Sequence, residues 1–183
     1  MLYTRKGDKG DTGLFGCNQR ISKSSAIAEA LGSLDEINSF LGICKVLSSQ
    51  TDFALSTIRF SDLVHKVQQN LFIIQAELAG SEMTTQEEKI SEIEGWIGEI
   101  ENMLPPIHSF FISGGTELGA TFDVARTIAR RAERRVVLVV EEGQRKIGDF
   151  SRAYLNRLSS LLYALARLSN HFSGITEQSP TYK

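Results

Sequence analysis

The sequence predicts an all-α protein, a single domain over residues 1–183 built as an up-and-down bundle of five helices. Apolar residues recur every three or four positions in five separate segments. Proline, the residue that most strongly breaks helices, occurs only at Pro105, Pro106 and Pro180. No alternating pattern of comparable length indicates a strand. The 4-3 apolar spacing is typical of helices that pack at shallow angles, which favours a bundle.

Each helix is predicted by one apolar stripe. In chain order the stripes run from Ala30 to Cys44, Val64 to Leu78, Ile90 to Leu104, Leu118 to Val139 and Leu155 to Leu165. They predict helices over residues 24–48, 53–81, 85–104, 117–142 and 148–171. The valine-rich run 136–140 continues the fourth stripe, so we predict helix there rather than strand. Because each stripe occupies one side of its helix, that side must be buried against the others.

Three segments lack the helical pattern. Residues 1–23 form an N-terminal arm with glycines at positions 7, 10, 13 and 16, and residues 105–116 form a loop that contains Ser113-Gly114-Gly115-Thr116. Residues 172–183 form a polar tail that we expect to be mobile. Binding and catalytic residues concentrate on such connections, so the arm and the loop are where we expect chemistry.

Charge and composition exclude several classes of protein. The formal net charge is −2, which gives no bulk attraction for nucleic acid or an anionic membrane. No apolar run approaches the ~20 residues of a membrane span, and the first residues lack a secretory signal. Cys17 and Cys44 are too few for a disulfide framework or a four-cysteine zinc site. We therefore expect a cytoplasmic protein with free thiols.

Histidine placement argues against a carboxylate-bridged metal site. His65, His108 and His171 lie far apart, and no Glu-x-x-His motif occurs. A di-iron bundle needs that motif on two of its helices. We therefore expect no firm metal ligands. Nothing in the sequence points to a cysteine or serine nucleophile paired with a histidine, although the sequence alone leaves such a pair open.

The arm combines flexible backbone with hydroxyls and positive charge. Glycines allow backbone N–H groups to approach an anion, and nearby cations would strengthen the binding. The candidate phosphate-binding residues are Thr4, Arg5, Lys6, Gly7, Asp8, Gly10, Thr12 and Lys23. The segment is not a Walker A loop, because the Gly-Lys-Ser/Thr ending is missing. A flexible, charged arm without a ligand is the alternative.

The fourth helix carries a run of arginines beside its apolar stripe. Arg126, Arg130 and Glu133 share one line on the helix, and Arg134 lies one turn beyond Arg130. Guanidinium groups on one line repel each other unless an anion or carboxylates lie among them. Their planar donors suit phosphate oxygens. A solvated basic face with a salt bridge explains the pattern about as well.

Two other helices carry polar residues next to their apolar stripes. Asp35, Asn38 and Gly42 lie on the first helix, and Asn156 lies on the fifth. Asp35 would be able to pair with an arginine of the fourth helix. A plain interhelical bridge or hydrogen bond is the alternative for each of them.

Six segments in order resemble the PduO-type cobalamin adenosyltransferases. They are residues 3–16, 20–23, 32–39, 113–116, 125–135 and 154–159, with sequences YTRKGDKGDTGLFG, RISK, GSLDEINS, SGGT, ARTIARRAERR and YLNRLS. The resemblance implies a ferritin-like, cobalamin adenosyltransferase-like bundle. It also implies an enzyme that transfers the 5′-deoxyadenosyl group of ATP to Co(I) of cobalamin and releases triphosphate.

On the nucleotide side, the resemblance implies a homotrimer with ATP between neighbouring subunits and Mg²⁺ bridging phosphate oxygens. The arm and Lys23 would hold the triphosphate. Further ATP contacts would come from Arg130, Arg131, Glu133, Arg134 and Asn156. The substrates would be ATP and cob(I)alamin, with a cob(II)alamin reductase and an adenosylcobalamin-dependent enzyme as possible protein partners.

On the corrin side, the resemblance implies that Phe110 disfavours a lower axial ligand on cobalt and so eases reduction of Co(II). It also implies that Asp35, Asn38 and Arg126 contact or orient the corrin, with Asp35 paired to Arg126. The predicted catalytic residues are Phe110, Asp35, Arg126 and Arg130. Ser113 stands where many relatives have proline, and Phe111 is the alternative to Phe110.

Three other functions stay open from the residues alone. They are another ATP-dependent transferase or kinase on the same bundle, a carrier that binds ATP and cobalamin without turnover, and a plain interaction bundle. The last leaves the glycine-rich arm and the arginine run unexplained.

Overall fold

The computed structural model describes residues 3, 5–14 and 19–182, and five helices dominate it. The helices are α1 (Ala26–Ser49), α2 (Phe60–Ala79), α3 (Glu87–Met103), α4 (Glu117–Glu141) and α5 (Asp149–Phe172). Two antiparallel pairs of short strands accompany them: β1 (Asp11–Gly13) with β2 (Arg20–Ser22), and β3 (Ala54–Leu55) with β4 (Ile58–Arg59). The prediction of an all-α, five-helix protein is confirmed.

The helices run alternately up and down. Helix α1 packs against α2 and α4, α4 packs against α5, and α5 packs against α3. Ion pairs from Arg131 to Glu36 and from Arg135 to Glu29 show that α1 and α4 are antiparallel. Helix α3 lies parallel to α5, because Thr85 before its start contacts Ser151 early in α5 and Pro105 after its end contacts Arg167 late in α5. The loops at each end therefore gather in two layers, and residues 104–116 share a layer with the end of α5.

The predicted stripes form the core. Leu34, Ile37 and Leu41 of α1 are fully buried, as are Phe60 of α2 and Phe122 of α4. Burying a large apolar side chain contributes about 1.5–3 kcal/mol, so these stripes supply the main driving force for folding.

One polar pair lies within this core. The Asn70 side chain donates to the Tyr154 hydroxyl at 3.1 Å, which fixes the register of α2 against α5. Burial raises the pKa of that phenol, which therefore stays protonated.

The second helix begins later than predicted, at Phe60 instead of residue 53. Residues 54–59 form the β3–β4 hairpin, which turns through Ser56 at a φ of 47°. Phe53 and Leu55 still contribute to the core, and the Phe53 ring packs 5.2 Å from that of Phe172. Their apolar character extended the helical stripe in sequence although the backbone there is a hairpin.

The arm and the tail are both tied to the bundle. Leu14, next to β1, is buried in the core, and Ser25 caps α1 by accepting from the Ala28 amide at 3.3 Å. The tail was expected to be mobile, but the Gln178 carbonyl accepts from the Ile112 amide at 2.8 Å. Across the described residues, no helix is long and apolar enough to cross a membrane.

Candidate active site

A cavity of about 540 Å³ opens between α4, α5 and the loop 105–116. Helix α4 lines it with Asp123, Arg126 and Arg130, and Tyr163 of α5 faces them. The loop contributes a mostly apolar wall that includes Phe110. The cavity thus has a charged side and an apolar side, and its size is typical of a small-molecule site.

Asn170 of α5 holds the end of the loop that borders the cavity. Its side-chain oxygen accepts from the Thr116 amide and hydroxyl, each at 3.0 Å, and its nitrogen donates to the Gly114 carbonyl at 2.9 Å. Thr116 in turn caps α4 by accepting from the Gly119 amide at 3.0 Å. Gly114 and Gly115 adopt positive φ angles of 126° and 104°, which favour glycine. The SGGT motif is therefore a helix cap fixed by α5.

The two neighbouring phenylalanines of the loop differ in their surroundings. Phe110 is 78% exposed at the cavity. Phe111 is half-buried, and the Arg167 guanidinium lies 5.0 Å from its ring centre. Both rings line the cavity, and Phe110 presents the more exposed one to a ligand.

The predicted arginine line divides into paired and unpaired members. Arg126 is 3.4 Å from the Asp123 carboxylate and 5.8 Å from the Tyr163 ring centre. Arg131 pairs with Glu36 on the α1–α4 surface. Arg130 and Arg134 are exposed, and neither forms an ion pair with a residue that the structure describes. Their charge is available to an anion.

Glu133 and Asn156 meet next to these arginines. The Asn156 amide nitrogen donates to Glu133 Oε1 at 3.0 Å, and the Asn156 oxygen accepts from Arg157 at 2.8 Å. Arg157 also pairs with Glu94 of α3 at 2.9 Å. These contacts link α3, α4 and α5. They also connect Glu133 with Asn156, which were predicted as site residues from separate segments of the sequence.

The arm forms a compact turn ahead of α1. The Gly10 amide donates to the Gly7 carbonyl at 3.1 Å, and the Lys23 amide donates to the Gly10 carbonyl at 2.9 Å. The Lys23 ammonium also reaches the Gly7 carbonyl, at 3.0 Å. These hydrogen bonds bring Gly7, Gly10 and Lys23 together.

Of the other arm candidates, Arg5, Lys6 and Asp8 are exposed, and Thr12 lies half-buried within β1. Thr4 lies outside the described residues.

A second pair stiffens the arm. Arg20 of β2 forms two hydrogen bonds to the Asp11 carboxylate, at 2.8 and 2.7 Å, and a third to the Lys6 carbonyl at 2.6 Å. These hydrogen bonds hold the pKa of Asp11 below its ordinary value. The predicted phosphate-binding turn therefore has its own internal support.

The α1 candidates do not line the cavity within one chain. Asp35 is exposed, and Arg126 pairs with Asp123 instead of with it. The Asn38 side chain is buried and donates to the Gln68 carbonyl of α2 at 3.4 Å. A pairing of Asp35 with Arg126 would therefore need a second subunit.

The sequence reasoning missed Arg167 and Asn170. Both are buried polar residues of α5 that lie off its leucine stripe, and both line the cavity. Polar side chains that are buried need hydrogen-bond partners nearby. Those partners lie in the loop and the tail, which sequence spacing alone does not relate to α5.

The described residues contain no group of three or more His, Cys, Asp or Glu side chains that could hold a metal ion.

The bundle and its cavity define a helical protein with a small-molecule-sized site that is charged on one side and apolar on the other. The chain belongs to the cobalamin adenosyltransferase family, whose sequence model matches residues 2–169. The resemblance drawn from the six sequence segments is therefore confirmed.

Curated relatives agree with this assignment. The chain is 39% identical over 177 residues to the corrinoid adenosyltransferase PduO of Citrobacter freundii, covering 93% of the chain and 50% of that protein. It is 37% identical to the corrinoid adenosyltransferase of Bacillus subtilis, covering 95% of the chain and 89% of that protein. The chain thus spans about half the length of the Citrobacter protein and most of the Bacillus protein.

Solved structures agree in fold. A PduO-type ATP:corrinoid adenosyltransferase from Lactobacillus reuteri, in a Phe-to-Ala variant complexed with cobalamin and ATP, superposes with a TM-score of 0.88. It is 31% identical, and the alignment covers 99% of each chain. An Arg-to-Lys variant of the same enzyme, complexed with ATP, gives a TM-score of 0.84 at 30% identity, with 98% of this chain and 99% of that chain covered.

Proposed function

We propose that the chain is an ATP:cob(I)alamin adenosyltransferase. The observation that carries the proposal is the pair of unpartnered arginines, Arg130 and Arg134, with Arg130 lining a cavity that presents an exposed Phe110. The two guanidinium groups would bind the oxygens of a triphosphate. The exposed Phe110 ring would pack against a corrin ring. The Lactobacillus relatives complexed with cobalamin and ATP support the same pair of ligands.

In the proposed reaction, Co(I) attacks the 5′ carbon of ATP. A cobalt–carbon bond forms with the electron pair of Co(I), the bond from C5′ to oxygen breaks, and triphosphate leaves with that bonding pair. The protein needs no nucleophile of its own. What it supplies is alignment of the two substrates and positive charge near the leaving group.

The triphosphate side of the proposed site combines the arm with α4 and α5. Gly7, Gly10 and Lys23 would cradle phosphate oxygens, with the other arm candidates around them. The unpaired Arg130 and Arg134 would add guanidinium donors. Glu133 and Asn156 would orient the site, Arg131 would contribute further charge, and Mg²⁺ would bridge phosphate oxygens.

The corrin side of the proposed site centres on Phe110. An apolar ring beside cobalt would exclude water or a base from the lower axial position, which favours Co(I) because that state prefers no axial ligand. Asp35 would pair with Arg126 of a neighbouring subunit, and Asn38 would support it from within α1. The family resemblance is the reason for proposing a homotrimer with sites between subunits, and the pairing of Asp35 with Arg126 would cross such an interface.

The whole of residues 1–183 would act as one domain. In this division, residues 1–23 form the ATP-binding arm, 24–171 the bundle and 172–183 the tail. A cytoplasmic location, a cob(II)alamin reductase and an adenosylcobalamin-dependent enzyme as partners belong to the same proposal.

The test is an anaerobic assay with chemically reduced cob(I)alamin, Mg²⁺ and ATP, followed by the corrin spectrum and by analysis of the released phosphates. Adenosylcobalamin together with triphosphate supports the proposal. Release of ADP would instead indicate a kinase. Tight binding of both ligands without turnover would indicate a carrier.

A further inference from the structure

Arg167 of α5 connects three segments around the cavity. Its Nε donates to the Glu177 carboxylate of the tail at 2.8 Å, and its Nη2 donates to the Pro105 carbonyl at 3.2 Å. The same guanidinium lies 5.0 Å from the ring centre of Phe111. Its side chain is only 7% exposed and that of Glu177 is 17% exposed. Desolvating a guanidinium is expensive, and here the Glu177 carboxylate and the Pro105 carbonyl compensate that cost, so Arg167 holds both segments against α5.

Arg167 and Asn170 lie about one turn apart on α5 and hold opposite parts of one loop. Arg167 fixes its start at Pro105 and its middle at Phe111, whereas Asn170 fixes its end at Gly114 and Thr116. Phe110 lies between these attachments.

Phe110 itself has an exposed ring, so no packing of its own holds it. Its direction must therefore be set by the residues around it.

The tail strengthens the same attachment. Glu177 pairs with Arg167, the adjacent Gln178 carbonyl accepts from the Ile112 amide at 2.8 Å, and the hydroxyls of Ser109 and Ser179 lie 2.6 Å apart. Ser109 and Ile112, one on each side of the phenylalanine pair, are thus held by the tail, which Arg167 anchors to α5.

We propose that Arg167 is a positioning residue for Phe110, acting by holding Phe111, Pro105 and Glu177 so that the Phe110 ring faces the corrin. The proposal rests on the adenosyltransferase function above. It assigns Arg167 to the step in which Co(II) loses its axial ligand before reduction, and not to ATP binding or adenosyl transfer.

The test compares Arg167→Met with Arg152→Met, an exposed arginine of the same helix that pairs with Asp149. Hydrogen exchange at the Ile112 amide reports whether the loop is held. Because Arg167→Met loses the buried hydrogen bonds to Glu177 and Pro105, exchange should rise at least about tenfold in this variant. It should not change in Arg152→Met.

The functional readout separates positioning from folding. Starting from cob(II)alamin and a chemical reductant, Arg167→Met should lose about tenfold in rate, because tenfold corresponds to only 1.36 kcal/mol of lost alignment. Starting from cob(I)alamin, its rate and its KM for ATP should stay near wild type. The electron paramagnetic resonance spectrum of bound cob(II)alamin should shift toward the axially ligated form.

Arg167→Lys keeps the ion pair with Glu177 but loses the planar contact with Phe111, so it should recover exchange protection in the tail and only part of the Co(II) rate. If Arg167→Met does not fold, Arg167→Met with Glu177→Gln removes the unpaired carboxylate and serves in its place.

Unchanged exchange at Ile112, or equal losses from Co(I) and Co(II) with an unaltered spectrum, would overturn the proposal. If wild-type protein forms no adenosylcobalamin, the proposed function itself fails. In that case a rise in exchange would show that Arg167 holds the loop without any role in this reaction.

Discussion

Asn156 of α5 donates a hydrogen bond to Glu133 of α4, with 3.0 Å between Nδ2 and Oε1. The Glu133 carboxylate is therefore engaged by a neutral donor. It forms no ion pair with Arg130 or Arg134 among the residues that the structure describes. The positive charge of those two arginines consequently remains available to a triphosphate. The i, i+3 spacing of Arg130 and Glu133 does not by itself reveal that the two side chains are unpaired.

Arg130→Ala should lose about 100-fold in kcat, the typical effect of removing one preorganised contact to developing charge. Helicity by circular dichroism should be unchanged, because Arg130 is exposed and unpaired. The matched control is Arg59→Ala, an exposed arginine of the β3–β4 hairpin that pairs with Asp52. Wild-type kinetics in Arg130→Ala would remove this arginine from the nucleotide site.

Phe110→Ala should bind ATP normally and react normally from cob(I)alamin, but should lose at least about tenfold in rate from cob(II)alamin. The reason is that the exposed ring makes no contact that folding requires, whereas its absence would let an axial ligand remain on cobalt. Phe150→Ala is the matched control, because Phe150 is also an exposed phenylalanine but lies at the start of α5, outside the cavity lining. Equal rates from cob(II)alamin in mutant and wild type would contradict a role for Phe110.

Gly119→Ala should destabilise the protein by about 1–3 kcal/mol, although alanine normally favours a helix. A Cβ at Gly119 would lie 2.4 Å from the Asn170 oxygen and 3.1 Å from the Ala166 carbonyl oxygen. The substitution would separate α4 from α5 and release the loop cap. Urea unfolding measures the change.

The control for this experiment is Gly95→Ala in α3, where nothing lies within 4 Å of the added Cβ. That variant should gain up to about 1 kcal/mol from helix propensity. Destabilisation of both variants by the same amount would show that the close approach at Gly119 is unimportant.

Order in the arm should depend on pH. The hydrogen bonds from Arg20 lower the pKa of Asp11 below its ordinary value of 3.8, with Lys23 adding a smaller attraction. The ionised carboxylate therefore favours the folded arm. That contribution is complete above pH 3.8 and is lost as the pH falls through the lower pKa of the folded state.

Amide signals of β1 and β2 in nuclear magnetic resonance spectra should report this loss. In Asp11→Asn, the same signals should show looser pairing at every pH and no step in this range. If the β1 and β2 amide signals of Asp11→Asn still change with pH by the same amount, the change belongs to another carboxylate.

The helices could be predicted from the sequence because burial of one face imposes a periodic stripe. The start of α2 could not, because Phe53 and Leu55 are buried by a hairpin that is too short to show an alternating pattern. The resemblance identified Gly7, Gly10 and Lys23, and local hydrogen bonds bring those three residues together.

The support of the loop could not be predicted. Arg167 and Asn170 find their partners more than 50 residues earlier in the chain, at Pro105, Gly114 and Thr116. Nothing in local spacing encodes which loop lies over which part of α5. The orientation of Phe110 relative to Phe111 depends on those distant contacts and was accessible only from the fold.

The anchoring of the arm by Leu14 and the β1–β2 pair has a thermodynamic consequence for nucleotide recognition. Ordering one backbone residue costs about 1–2 kcal/mol in entropy, so a disordered ten-residue arm would weaken ATP binding severely. Here the turn around Gly7 already has its shape before the ligand arrives. Calorimetry should then find an association with a small change in heat capacity and with little loss of chain entropy. Discrimination between ATP and shorter nucleotides would follow from how well the phosphate chain fits a preset surface, and not from the ability of the ligand to fold the arm around itself.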